Sequence, residues 1–334
     1  MTPTKKYKIV WAVDPLGEVK SFQTAAAHVL EKLAAGLDAE VYPIYLFGGY
    51  PLEFPVYSAP TVPETTRNEM KSALREILTD LKFDHLKELE ILVKPYVSLR
   101  EGVGHLVDRA TAIDADLILA TTHARKGITR WIIGSFAEAL TEKSTIPTLI
   151  VNPETTTKWS LDSVIFATDF SSESKRAFRE FLPVARALGA EICLYHKLTY
   201  MVTPSLVPAF SSESADWKQL MEKRDERRSL AASWALLAER AEVRMTSHID
   251  QLLERSPADA VVSVATERQA WIAIAAQSKP LAAALLGSTA RRIIRNSDVP
   301  VWVFRSSAEK FYQPDTSISA EDIAEDLRLG KKGD

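Results

Sequence analysis

Short apolar runs alternate along this chain with longer stretches in which apolar residues recur every three or four positions. Lys8 to Val13 is a continuous apolar run, the pattern of a strand covered on both faces of a parallel sheet. Val19 to Leu33 follows with helical spacing and stops near Gly36. Glu40 to Phe47 is β-branched and aromatic and predicts a second strand. Gly48 to Pro63 is a Pro- and aromatic-rich loop. Glu64 to Lys82 carries a Met70, Leu74, Ile77, Leu78, Leu81 stripe and predicts a helix. Glu90 to Val97 is a third strand. Ser98 with Glu101 forms a capping box that opens a helix to about Ile113. Asp116 to Thr121, Gly134 to Lys143 and Ile146 to Val151 then predict strand, helix and strand.

The second half runs in the same order. Val164 to Thr168 is a strand, Ser172 to Leu188 a helix, and Glu191 to Leu198 a strand. A loop from Thr199 to Ser214 leads into a long helix, Ala215 to Ala241. Val243 to His248 is a third strand, followed by a short helix from Asp250. Ala260 to Ala265 reads as the fourth strand and Val299 to Phe304 as the fifth. The repetition is also literal. Gly134-Ser135 precedes Ile146-Pro147, Gly287-Ser288 precedes Val299-Pro300, and 153 positions separate each member from its counterpart. A self-match near half of 334 residues means a duplicated domain. Strand–helix alternation with right-handed crossovers then predicts α/β architecture, with two doubly wound five-stranded parallel-sheet domains. The expected units are residues 1–153 and 160–305, joined by a polar linker at 154–159 and followed by a charged tail at 306–334.

Composition narrows the classes. Hydrophobic residues make up 46% and charged residues 25%, as in ordinary globular protein. A net charge of −3 gives no basic surface for nucleic acid. No stretch reaches the ~20 apolar residues of a membrane span, and no cleavable leader follows Met1, so a cytoplasmic location is expected. The single cysteine, Cys193, lies in an apolar run and reads as core. The six histidines show no metal-ligand spacing, so no metal site is expected. G-x-S-x-G, GxxxxGK[ST] and G-x-G-x-x-G are all absent, which argues against α/β-hydrolase, P-loop and dinucleotide-binding chemistry.

Ligands of open α/β sheets sit beyond the carboxyl ends of the strands, where strand order reverses. In the first half that places Asp14 and the segment from Thr121 to Ser135 at the cleft. Here His123-Ala-Arg-Lys-Gly-Ile-Thr-Arg-Trp-Ile-Ile-Gly134-Ser135, followed by Ile146-Pro147, resembles the signature segment of the universal stress protein family. Phe166-Ala-Thr-Asp169-Phe-Ser171, Leu286-Gly287-Ser288-Thr289 and Val299-Pro300 are similar to that family's first turn and ending. The resemblance covers both halves. It implies an adenine nucleotide alpha hydrolase-like fold, with the last strands buried against each other as an intrachain pseudo-dimer. It also implies an adenine nucleotide (ATP or ADP) or another small anion as ligand, without catalysis, in a stress-response role. A homodimer of such chains is compatible with it.

Nucleotide-binding members of the family carry G-x2-G-x9-G-[S/T]. Its glycines let backbone N–H groups approach phosphate, and the helix N-terminus favours negative charge. Counted back from Gly134, the first two glycine positions hold Thr121 and Ala124. The resemblance implies a site formed by Ala12, Val13, Asp14, Thr121, Thr122, His123, Ala124, Arg125, Gly134, Ser135 and Phe136. A secondary set is Asp169, Gly287, Ser288 and Thr289. In the second half, Ile274 and Gln277 fall on the glycine positions. With the fourth strand at Ala260 to Ala265, about ten residues are added before Gly287, and Trp271 is expected to fill the old site. An Asp at a strand's end also caps the next helix or turn, and for Asp169 capping ranks first. The alternative function is an interaction scaffold that has abandoned nucleotide.

Overall fold

The structure, a computed structural model, describes residues 6–16, 20–47, 62–93, 98–122, 135–152, 155, 159–199, 215–251, 255–276 and 286–305. The first half runs β1 (Lys8–Ala12), α1 (Lys20–Leu37), β2 (Glu40–Phe47), α2 (Glu64–Ile77), β3 (Glu90–Val93), α3 (Leu99–Ile113), β4 (Leu117–Thr121), α4 (Ser135–Lys143) and β5 (Thr148–Val151). The second half runs β6 (Ser160–Ala167), α5 (Ser172–Leu188), β7 (Glu191–Lys197), α6 (Ala215–Arg240), β8 (Met245–Asp250), α7 (Pro257–Arg268), β9 (Ala270–Ala275), α8 (Ser288–Asn296) and β10 (Val301–Phe304). The aromatic loop from Gly48 and the tail from Ser306 lie outside the described residues.

The ten strands among the described residues form one sheet in the order β3-β2-β1-β4-β5-β10-β9-β6-β7-β8. Every neighbouring pair is parallel except β5 and β10, which join the halves antiparallel. The apolar runs explain the parallel pairs. Ile9, Val10 and Trp11 are wholly buried, as are Leu117 to Ala120 of β4, so both faces of these strands are covered. Each half turns back at its first strand, between β1 and β4 or between β6 and β9. Right-handed crossovers therefore put α1, α2, α5 and α6 on one face and α3, α4, α7 and α8 on the other.

Helix ends follow their local chemistry. Ser98 accepts from the Glu101 N–H at 3.3 Å and starts α3. Gly189 ends α5 at φ +64°, a conformation that costs glycine nothing. Phe178 and Phe181 of α5 join Phe166, Trp271 and Trp302 of the sheet in an aromatic cluster, with ring centroids 5.2–6.2 Å apart in the contacting pairs. Cys193 is buried.

One expectation is corrected. Ala260 to Ala265 belongs to a helix, α7, and the fourth strand of the second half is β9. The Ser256 hydroxyl accepts from the Asp259 N–H at 3.2 Å, Pro257 takes the first helical turn, and Gln269 closes the helix at φ +53°. The apparent insertion vanishes with it. Thr121 and Ala275 are the last residues of equivalent strands, β4 and β9, so 13 positions lead to Gly134 and 12 to Gly287. Trp271 fills no cleft: it is a core residue of β9 and donates from Nε1 to the Leu161 carbonyl at 3.3 Å.

Candidate functional site

In the first half the strand order reverses between β1 and β4, and their carboxyl ends lie side by side. Val13 is buried and donates to the Ile44 carbonyl at 3.1 Å, which extends the ladder and brings half-buried Asp14 to the rim. Ala12 is half-buried one step below. Thr121 ends β4 and Thr122 follows it, both buried. Ser135 is exposed in the first turn of α4, where helix N–H groups have no intrahelical partner. Phe136 beside it is half-buried and packs on the core. The structure thus brings Ala12, Val13, Asp14, Thr121 and Thr122 to one edge. His123, Ala124, Arg125 and Gly134 lie outside the described residues.

Two side chains here have definite partners. The Thr122 hydroxyl donates to Asn152 Oδ1, and the Thr122 N–H bonds the Val151 carbonyl at 3.0 Å. That hydroxyl therefore faces the seam between halves. Thr121 Oγ1 accepts from Gln23 Nε2 at 3.4 Å. Gln23 is 4% exposed and its Oε1 has no hydrogen-bond partner among the described residues. A buried carbonyl oxygen left unpaired is costly, so Gln23 is a polar group at this edge that the sequence reading missed. No motif spacing points to it; only the packing of α1 on β4 does.

At the corresponding points of the second half, local bonds hold the side chains. Asp169 Oδ1 accepts from the Ser171 N–H at 3.0 Å, the Ser171 hydroxyl at 2.7 Å and the Ser174 hydroxyl at 2.6 Å. It braces the N-terminus of α5, where Ser171 is the cap. Phe170 takes φ +62° and packs on His196 and Trp234, with ring centroids at 5.0 and 5.4 Å. His196 Nδ1 lies 2.8 Å from the Thr168 carbonyl. Burial holds its imidazole below the ordinary value, against the opposing pull of that bond. The Gly287 N–H bonds the Ala276 carbonyl at 3.0 Å, and a Cβ on Gly287 would lie 3.3 Å from that same oxygen. The glycine thus seats α8 closely on the sheet. Ser288 and Thr289 are exposed on the first turn of α8. Among the described residues, no group of three or more His, Cys, Asp or Glu side chains is placed to hold a metal ion. No described helix is long and apolar enough to cross a membrane.

Two α/β units joined edge to edge, each with its strand order reversing at its first strand, define the class of molecule. The chain matches the universal stress protein family over residues 7–152 and again over 161–305, and it belongs to that family as a tandem of two such domains. The universal stress protein MJ0531 of Methanocaldococcus jannaschii is 31% identical over 134 residues, 38% of this chain and 72% of that protein. Two solved structures share the fold over nearly the whole chain. A universal stress protein from Archaeoglobus fulgidus has a TM-score of 0.55 at 17% identity, covering 91% of this chain and all of that one. A protein from Pseudomonas aeruginosa, described as a putative universal stress protein, has a TM-score of 0.56 at 13% identity, covering 90% and 93%.

Proposed function

We propose that this chain is a non-catalytic stress protein that binds an adenine nucleotide, ATP or ADP, in its first half and acts as a sensor or regulator. The observation that carries this reading is the β1–β4 edge. Asp14 stands there at the reversal of strand order, next to the start of a segment that ends in Gly134-Ser135 and opens α4. Asp14 is the residue for adenine or ribose, and the α4 N-terminus with Ser135 is the place for phosphate oxygens. Asp169 is consumed by three hydrogen bonds that brace α5, while Gly287 serves close packing.

Titration calorimetry of the full chain with ATP and ADP tests the reading. Saturable heat and a raised thermal midpoint are expected, both lost in Asp14→Ala/Ser135→Ala; ligand at 100 times its Kd stabilises by about 2.7 kcal/mol. Neither heat nor shift at millimolar nucleotide overturns it.

A second reading, an interaction scaffold without nucleotide, draws on Thr121 and Ala124 in glycine positions and on the Thr122 hydroxyl turned to the seam. Native mass spectrometry of freshly purified protein separates the two. Protein carrying a nucleotide-sized mass favours the first, and bare protein the second.

A further inference from the structure

The register across the seam shows where the internal two-fold axis passes. Leu149 of β5 pairs with Trp302 of β10, and these are equivalent residues, 153 positions apart. Thr148 pairs with Val303 and Ile150 with Val301, as a two-fold through Leu149 and Trp302 requires. Near such an axis each position meets its own counterpart. α4 and α8 obey the same rule: Glu138 Oε1 lies 2.8 Å from Arg291 Nε, and Arg291 is the counterpart of Glu138. The N–H does not point at the oxygen, so the contact is one of charge rather than an aligned hydrogen bond.

The copies have diverged in charge at the seam, with the sign reversed at two positions and a neutral residue replaced by a cation at a third. Glu138 corresponds to Arg291, Glu142 to Arg295 and Asn152 to Arg305. Glu142 is buried, lies 3.5 Å from Arg291 Nη2 and is also paired with Arg100 of α3. We propose that α4 and α8 form a charge-coded recognition surface that accepts only the unlike copy. Its partner is a surface bearing arginine where α4 bears glutamate: the second half of this chain. Pairing first half with first half would set Glu138 against Glu138 beside Glu142. Pairing second with second would set Arg291 against Arg291 beside Arg295. Like charges brought together so close to an interface oppose both wrong pairings, while the true pairing is drawn together.

Single reversals reproduce each wrong contact inside the intact chain. E138R places two arginines at the axis and R291E two carboxylates; E138R/R291E restores opposite charge with its sign inverted. Each single variant is expected to lower the thermal midpoint of the full chain by about 2–4 °C, a deficit that shrinks in 1 M salt, and the double variant to recover most of the loss. A double variant whose loss equals the sum of the singles overturns the proposal, as does a single reversal without effect. If either reversal fails to fold, E138Q and R291Q carry the same cycle, and zero coupling between them overturns the proposal.

Discussion

Lys197 and Asp250 are neighbours in register at the ends of β7 and β8, and the structure buries both. Their ion pair spans 3.1 Å, and the Tyr195 hydroxyl donates to the same Asp250 oxygen at 2.5 Å. Burial, together with that bond, pushes the Tyr195 hydroxyl's pKa well above its ordinary value. The first half has Leu46 and Leu92 in register at the equivalent place, with Ile44 for Tyr195. The duplication thus contains its own control: the fold closes here without charge. Removing one partner of a buried pair strands the other, so Asp250→Leu should cost about 3–5 kcal/mol. Replacing the set with the first half's residues, Tyr195→Ile, Lys197→Leu and Asp250→Leu together, should return stability to the original value or above it. Chemical denaturation followed by circular dichroism measures both.

Individual elements show which parts of the sequence were legible. Strands buried on both faces, such as β1 and β4, announce themselves as unbroken apolar runs, and α3 and α5 by their serine caps. The failure at α7 is physical. Val261, Val262 and Val264 favour strands only where a pleated surface receives them, and the local Ser256-Pro257 start with Asp259 outweighed them. The placement of Asp14, Thr121 and Ser135 was legible, because a strand end or helix start fixes each. Gln23 was not, since its meaning depends on a partner 98 positions away. Asn152 is of the same kind. It follows β5, accepts from Thr122, and its amide donates to the Ile294 carbonyl of α8 at 3.2 Å and to the Ser297 carbonyl. Asn152→Ala should leave these buried groups unpaired and cost about 2–3 kcal/mol, measured as a shift in denaturant midpoint at unchanged slope.

For the whole molecule, the repeat in the sequence was enough to give a duplicated α/β unit, and the charge divergence was already visible at a fixed offset. Its meaning needed the β5–β10 register, because only that places counterpart residues face to face. The register also governs unfolding. Leu149 and Trp302 are wholly buried at the seam, so neither half keeps its core intact alone. Thermal unfolding should therefore follow one transition, with calorimetric and van't Hoff enthalpies equal. Trp302→Ala, which removes about 3–5 kcal/mol from the seam, should split it in two.

Joining the halves through β5 and β10 leaves β3 and β8 at the margins of the sheet. On β3, Glu90 is held by Arg109 at 2.7 and 2.9 Å. β8 carries Thr246, Ser247 and His248 exposed in its middle. Polar or charged margins are poor templates for a stray strand. By turning its two most apolar terminal strands inward on each other, the tandem arrangement guards the molecule against fibrous aggregation.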